Sequence, residues 1–201
     1  GACTEKCPGK FDDGYNADLK TRTAIYVEYP QAVPLKYAIN PAACLKLTKD
    51  KCGTCQEVCP ADAVDYTMTE ETVTIDTGSI ILAPGFKPFD PSRFDNYQYA
   101  KFANVVTSME FERILSATGP TMGHVTTFPK IPANPKKKKD KLLAEKRKDP
   151  KKIAWFQCVG SRDINKCDNP YCSSVCCMYA VKEAIIAKEH AGKDLDCSIF
   201  F

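Results

Sequence analysis

The chain has 201 residues, of which 44% are hydrophobic and 12 are cysteine, and its net charge is +3. A chain of this size can bury a core without covalent links, which argues against the small, disulfide-dense class of secreted domain. No apolar run approaches the ~20 residues of a membrane-spanning helix and no secretory signal is recognisable, so we expect a cytoplasmic protein with reduced thiols and no direct membrane span.

Half of the cysteines lie in two short runs with the spacing of iron–sulfur ligand motifs. The first run, residues 3–8, is C-x3-C-P, and the second, residues 44–60, is C-x7-C-x2-C-x3-C-P. Bacterial ferredoxins carry C-x2-C-x2-C-x3-C-P, in which the last cysteine ligates the other cluster of a pair. Zinc usually takes two separated C-x2–4-C pairs, whereas the second run crowds its last cysteines together. The two runs therefore predict a pair of [4Fe-4S] clusters.

The exchange of the last cysteine between clusters assigns the ligands. One set, cluster A, is complete in this chain and consists of Cys7, Cys44, Cys52 and Cys55. The other set, cluster B, has two ligands here, Cys3 and Cys59, and the spacing places its other two upstream of Gly1. We therefore expect the sequence to be an internal fragment of a longer protein.

Three stretches are predicted to be strands from their β-branched, aromatic and apolar residues: Thr23–Tyr29, Thr72–Ile75 and Ser79–Ala83. The last leads into Ala83, Pro84, Gly85 and Phe86, which are similar to an A-T-G element that passes close to FAD in flavoproteins with two dinucleotide-binding domains. Glycine suits that position because a side chain would block the cofactor, although Pro84 replaces the usual Thr. The alternative is a strand that ends in a Pro-Gly turn.

A strand at Val105–Thr107 is predicted to lead into a helix capped by Ser108 and stopped at Gly119 and Pro120. The later segment Lys130–Lys152 has a net charge of +8 and lacks aromatic residues. We interpret it as a solvated linker rather than a surface for nucleic acid or an acidic redox partner.

The last part of the chain has a β-α-β pattern, with strands at Ile153–Val159 and Cys197–Phe201 around a helix from Ser173 or Ser174 to about His190. Gly192 stands where a helix C-terminal glycine is expected. A dinucleotide-binding turn would carry G-x-G-x-x-G between the first strand and the helix, but only Gly160 is present there. We therefore expect a Rossmann-like unit without a nicotinamide site.

The remaining cysteines are Cys158, Cys167, Cys172, Cys176, Cys177 and Cys197. Their C-x4-C-x3-C-C pattern allows a third metal centre. However, the adjacent pair would point about 100° apart on a helix, and free cysteine behaves as a small buried hydrophobe. The sequence favours structural thiols.

Together these motifs resemble the A subunit of heterodisulfide reductase over essentially the whole chain. The segments that carry the resemblance are Gly1–Pro8, Tyr29–Pro34, Cys44–Cys59, Gly78–Phe86, Gln157–Asp163 and Tyr171–Ala180.

The resemblance implies an α/β fold, α+β overall, in which a ferredoxin-like insert with two [4Fe-4S] clusters is followed by part of a thioredoxin-reductase-like Rossmann flavoprotein that binds FAD. The implied domains are the incomplete ferredoxin domain at 1–68, part of the FAD-binding domain at 69–129, the Lys-rich insertion at 130–152 and the start of a second Rossmann-like domain at 153–201.

The implied function is that of an oxidoreductase subunit that passes electrons between FAD and the clusters by flavin-based electron bifurcation. Its implied partners are other heterodisulfide-reductase-type subunits, a hydrogenase or formate dehydrogenase module, and ferredoxin. Lys182 is expected near the flavin, where a cation favours the reduced anion, unless it is a surface lysine. The alternatives are a relay subunit of a quinone-interacting oxidoreductase or aromatic acyl-CoA reductase complex, and a cluster-binding scaffold without active flavin, which the Pro84 replacement suggests.

Overall fold

A computed structural model describes residues 1–128 and 147–201. Most of the Lys-rich segment predicted to be a linker lies outside the described residues. The chain divides into two compact units, Gly1–Phe86 and Lys87–Phe201. The mixture of helices and strands in them agrees with the predicted α/β class. None of the helices within the described ranges is long and apolar enough to cross a membrane.

The first unit is built from two small antiparallel sheets, three short α-helices and one 3-10 helix at Gly14–Asn16. Strands β1 and β2 pair in one sheet, and β3 and β4 in the other. The elements are α1 (Ala2–Lys6), β1 (Lys10–Asp12), β2 (Thr21–Thr23), β3 (Ile25–Tyr26), β4 (Ala38–Ile39), α2 (Leu45–Lys49) and α3 (Thr54–Glu57).

The predicted strand Thr23–Tyr29 is divided at Ala24 and ends earlier, at Tyr26. The backbone N–H of Ala24 donates to the Gly9 carbonyl at 2.9 Å, and its carbonyl accepts from the N–H of Asn40 at 2.8 Å. Ala24 is buried at the junction, 1% exposed. One stretch of chain therefore supplies a strand to each sheet, and the division satisfies the backbone groups between them.

Arg22 connects the two sheets from β2. Its guanidinium lies 3.4 Å from the buried carboxylate of Asp13 and 4.3 Å from the centre of the Tyr26 ring in β3. Asp13 also accepts a hydrogen bond from the amide of Asn16 at 2.7 Å. Asp13 thus has an ion-pair partner at Oδ1 and a hydrogen bond at Oδ2, which offset part of the cost of burying its charge.

The strands predicted at Thr72–Ile75 and Ser79–Ala83 are wrong, because residues 67–86 contain no strand in the structure. Ile80, Ile81 and Leu82 are 78%, 92% and 85% exposed. A strand needs a neighbour to complete its hydrogen bonds, and an isolated hairpin is at best marginally stable. No strand of the first unit pairs with this apolar run among the residues that the structure describes.

In the second unit, α4 (Ser108–Leu115) is capped one residue earlier than predicted. The cap is Thr107, whose hydroxyl accepts from the N–H of Glu110 at 3.3 Å while the Glu110 carboxylate accepts from the Thr107 N–H. This reciprocal capping box fixes Thr107 outside the helix, and the predicted strand Val105–Thr107 is absent. The helix ends at Leu115, before the predicted stop at Gly119 and Pro120.

The predicted β-α-β order is confirmed, although the first strand ends at Phe156 and not at Val159. Strands β5 (Lys152–Phe156) and β6 (Asp196–Phe200) are parallel, and α5 (Ile164–Cys167) and α6 (Cys176–Ala191) lie between them in sequence. Helix α6 begins later than the predicted cap at Ser173 or Ser174, because Ser174 has a left-handed backbone with φ of 62°. It ends at Gly192 as predicted, with φ of 99°.

The core of the second unit forms where α4 packs on α6 and β5. Trp155 of β5 is buried and its ring meets Phe111 of α4 edge-on, with centroids 5.7 Å apart. From α6, Ala180 and Ala187 are both 0% exposed. Small residues at these positions allow the helix to approach its neighbours closely.

Candidate functional site

The four cysteines predicted for cluster A line one pocket in the first unit, although Cys7 is far from the others in sequence. Gly9, Ala24, Ile25, Ile39 and the Tyr66 side chain complete much of the wall. The two sheets described above therefore bring the end of α1 to the cysteine-bearing segments around α2 and α3. The predicted cluster A ligands are Cys7, Cys44, Cys52 and Cys55.

Three of these cysteines are held within or directly beside a helix. Cys7 follows α1 in extended conformation, Cys44 precedes α2 as its N-cap, and Cys55 lies within α3. Cys44 and Cys55 are 7% and 8% exposed, and Cys7 and Cys52 are half-buried. The pocket thus combines two buried thiols with two half-buried ones.

Gly9 makes the approach of the Cys7 segment possible. A Cβ atom at this position would lie 2.5 Å from the carbonyl oxygen of Ala43 and 2.9 Å from the Cβ of Ala24. Both distances are shorter than real contacts, and Ala43 directly precedes Cys44. Glycine is therefore required where the two ligand segments meet.

The sulfur atoms of the pocket have few but specific polar neighbours. Cys55 Sγ and Tyr66 Oη lie 2.7 Å apart. The thiol of Cys52 reaches Thr54 Oγ1 at 3.7 Å, and that of Cys7 reaches the Gly9 carbonyl at 3.7 Å. A backbone hydrogen bond from Thr54 lowers the pKa of Cys52 and so favours its thiolate, the form that binds metals.

The pKa of the Tyr66 phenol depends on the thiols of the pocket. Burial raises the pKa of its phenol, and the hydrogen bond with Cys55 raises it further. The negative charges of Cys55, Cys44 and Cys52 act in the same direction. The Tyr66 hydroxyl therefore keeps its proton beside a group of thiolates.

Cys3 and Cys59, the predicted cluster B ligands, do not line this pocket. The sulfur of Cys59 accepts from the N–H of Ala63 at 3.4 Å, and that of Cys3 lies 4.0 Å from Thr4 Oγ1. All 12 cysteines of the chain are free thiols, so none forms a disulfide. Within residues 1–128 and 147–201, no three Cys, His, Asp or Glu side chains form a group able to hold a single metal ion.

A second group of thiols surrounds the start of α6 in the second unit. Burial tends to raise the pKa of Cys176, but hydrogen bonds from the Cys158 backbone, Ser173 and Cys177 outweigh it and lower that pKa. The charge of Cys176 raises the pKa of Cys177, with smaller contributions from Cys158 and Cys172.

The sequence pattern grouped Cys167 with these cysteines and left out Cys158. In the structure Cys158 belongs to the group, whereas the Cys167 thiol points to the Asp163 carboxylate at 4.0 Å. The available signal was the spacing C-x13-C-x3-C-C, which begins just after β5. Cys158 has a left-handed backbone with φ of 58°, which turns the chain there.

The residues predicted to contact FAD, Ala83, Pro84, Gly85 and Phe86, are exposed and outside regular structure. Gly85 has φ of 72°, a conformation that suits glycine, and nothing lies within 4 Å of where its Cβ would be. Lys182 is exposed on α6 beside the buried Glu183. The proximity of either group to a flavin stays a prediction.

The donor set of the pocket fits an iron–sulfur cluster, because its candidate ligands are cysteine thiols throughout and such clusters are held by thiolates. The fold and the site thus define the class: an α/β protein with a cysteine-lined site suited to electron transfer.

Comparison with known proteins identifies the family. The chain is 37% identical over 97% of its length to the A subunit of ferredoxin:CoB-CoM heterodisulfide reductase from Methanosarcina acetivorans. It is 39% identical over 100% of its length to a heterodisulfide reductase A-subunit-like protein of Archaeoglobus profundus. It is 40% identical over 94% to the A subunit of H2/formate:CoB-CoM heterodisulfide,ferredoxin reductase from Methanococcus maripaludis. The chain belongs to the family of heterodisulfide reductase A subunits.

The chain spans 26%, 32% and 26% of the length of these three relatives, respectively. No protein-family model matches the chain. The relatives are named as subunits of oxidoreductases, which agrees with the class defined by the thiol pocket.

Proposed function

We propose that this chain is the cluster-bearing segment of an electron-transfer subunit in a heterodisulfide-reductase-type oxidoreductase. The observation that carries the proposal is the pocket in which Cys7 joins Cys44, Cys52 and Cys55. A ferredoxin that exchanges its last ligand between clusters needs this long-range pairing. The names of the relatives supply the enzyme class.

The pocket suits a [4Fe-4S] cage better than a single ion. The thiols come from separate segments, and no three ligand side chains in the described ranges approach closely enough for one ion. A cage of four irons is wider than one ion and accepts one thiolate at each iron. Cys7, Cys44, Cys52 and Cys55 would hold cluster A.

Cys3 and Cys59 would serve cluster B together with two cysteines from outside this sequence. The spacing of both runs supports this assignment, since each C-P run ends with the ligand for the opposite cluster. The first unit would then be the predicted ferredoxin-like insert.

FAD would be contacted by Ala83, Pro84, Gly85 and Phe86, where the positive φ of Gly85 leaves room for a close approach. A bound flavin supplies the exchange between two-electron and one-electron chemistry, while the protein binds and orients it. The M. maripaludis relative is named for H2 or formate, heterodisulfide and ferredoxin together. That combination supports flavin-based bifurcation in a complex with a hydrogenase or formate dehydrogenase module and ferredoxin.

The thiols around the start of α6 are a further candidate for thiolate ligation. Mutual effects on their pKa values indicate that Cys158, Cys172, Cys176 and Cys177 lie near one another. A shared ligand role for these thiols is therefore tested beside the structural role that the sequence pattern favours.

The test is to measure iron, sulfide and flavin in the full-length parent protein, purified without oxygen. Cys44→Ala should remove about four irons per polypeptide, since a [4Fe-4S] cluster needs its thiolates. The matched control is Cys197→Ala in β6, which lies outside both thiol groups and should leave iron unchanged. An iron-free wild-type protein would refute the proposal.

Flavin content, together with the subunits that co-purify, distinguishes the proposed function from the cluster scaffold and the relay subunit. Iron without FAD would favour the cluster scaffold, for which Pro84 and the exposed Ala83–Phe86 segment are the motivating observations. Iron with FAD, but co-purification with quinone-linked or aromatic acyl-CoA reductase subunits, would favour the relay subunit instead.

A further inference from the structure

We infer that Tyr66 donates a hydrogen bond to the ligand thiolate of Cys55 and thereby holds the reduction potential of cluster A at a more positive value. This inference rests on the proposed function, because it assigns a role to a neighbour of the cluster ligands. Tyr66 is a positioning residue in this scheme, since it acts on the cluster through the sulfur of Cys55.

The contact is short and built by tertiary structure. Tyr66 Oη lies 2.7 Å from Cys55 Sγ across 11 positions of sequence, and Cys55 is 8% exposed. The backbone beside Tyr66 is fixed by Asp65, whose carboxylate accepts from both the N–H and the hydroxyl of Thr67 at 2.7 Å. The phenol is therefore held against the sulfur by its own segment of chain.

The direction of the hydrogen bond follows from the chemistry of ligation. A cysteine bound to iron is a thiolate and has no proton, so only the phenol can donate. The Gly9 carbonyl near Cys7 is an acceptor and cannot replace it, and the Thr54 hydroxyl is 3.7 Å from Cys52. Among these sulfur contacts, the Tyr66 contact is the shortest and the one made by a hydroxyl within 3 Å.

A hydrogen bond to a ligand sulfur withdraws electron density from the cluster. It stabilises the reduced cluster, which is more negative, over the oxidised cluster, and hydrogen bonds to sulfur are an established determinant of cluster potential. A bound cluster would take up one electron, supplied by FAD in the proposed function, and the Tyr66 phenol would keep its proton throughout. Loss of the hydroxyl should therefore shift the potential to a more negative value.

The experiment is a redox titration of the full-length parent protein followed by electron paramagnetic resonance, comparing wild type with Tyr66→Phe. The substitution keeps the ring and removes the hydroxyl. One cluster should titrate at a more negative potential, and its spectrum should lose one coupling to an exchangeable proton. Tyr29→Phe is the matched control, because Tyr29 stacks on Tyr15 at 5.0 Å and should change neither readout.

A ring-fluorinated tyrosine at position 66 tests the sign. Fluorination makes the phenol a stronger donor, so the potential should move in the positive direction, opposite to Tyr66→Phe. If Tyr66→Phe incorporates less iron, the reduction potential of the fluorotyrosine variant still tests the role of the hydrogen bond.

The outcomes separate this inference from the function on which it rests. Iron-loaded variants with unchanged potentials would overturn the role of Tyr66 and leave the cluster proposal standing. Wild-type protein without iron would overturn both.

Discussion

The indole N–H of Trp155 donates a hydrogen bond of 2.9 Å to Oε2 of Glu183 and so joins β5 to α6 inside the second unit. Trp155 is 8% exposed and Glu183 is 4% exposed. Burial raises the pKa of Glu183 to about 7, and the charge of Glu112 on α4 acts in the same direction. The Trp155 hydrogen bond and Lys182 oppose this shift without cancelling it.

Glu183 should therefore make the stability of the second unit depend on pH. Its pKa is higher in the folded state than in the unfolded chain, so stability falls as pH rises from about 4.5 to about 7 and then stays constant. Glu183→Gln should remove this fall and leave the variant more stable at about pH 8, by on the order of 2–3 kcal/mol. At about pH 4 the two proteins should differ little.

Hydrogen exchange of peptides from β5 and α6, measured in rising denaturant at both pH values, follows this unit within the full-length protein. Glu189→Gln, an exposed change on the same helix, is the control. Equal pH profiles for wild type and Glu183→Gln would contradict the prediction.

Gly9→Ala should disturb the approach of the Cys7 segment to the remaining ligands. The new methyl group would lie 2.5 Å from the Ala43 carbonyl, so the backbone has to move. Overpacking of this kind costs about 1–3 kcal/mol and should lower the iron content of the full-length protein. Gly14→Ala is the matched change, because the nearest atom to its Cβ is 3.9 Å away. Normal iron content in Gly9→Ala would contradict the prediction and show that the Cys7 segment accommodates the methyl group without losing the cluster.

Thr107→Ala should destabilise α4 by about 1 kcal/mol, because the first turn loses the side-chain acceptor for the Glu110 N–H. Thr107→Ser keeps the hydroxyl and should retain most of the stability. Denaturant unfolding monitored by exchange of α4 peptides gives the comparison, and equal losses in both variants would indicate that the methyl group, not the cap, is what matters.

Cys176→Ala in the full-length protein distinguishes a ligand role from a structural role for the thiols around the start of α6. Ligation predicts a loss of about four irons, as for Cys44→Ala. Cys167→Ala is the control, since its thiol faces Asp163 rather than the group. A stable Cys176→Ala protein with full iron content would assign these thiols to packing.

The β-α-β unit was predictable because each of its elements carries a local signal. The apolar strands and Gly192 beyond the end of α6 act over a few residues, and the structure follows them to within a few positions. The predicted apolar face of α6 is wrong, because Val175, Met178 and Ile185 are exposed and the helix buries Cys176, Ala180, Glu183 and Ala187 instead. The capping residue of α4 was misplaced by one position because Thr107 and Ser108 are both suitable caps. The hydrogen bond that the Thr107 N–H donates to the Glu110 carboxylate decides between them.

The spacing of the cysteines by itself predicted the four thiols that line one pocket, because ferredoxin ligand motifs fix which cysteines of two runs serve one cluster. Tertiary structure alone decided that Ala24 divides a strand between two sheets, that Tyr66 reaches Cys55, and that Cys158 joins the thiols at α6. It also left the apolar run at 80–82 without a strand partner in the described part of the chain. Each of these outcomes depends on groups distant in sequence, whose contacts carry no local pattern.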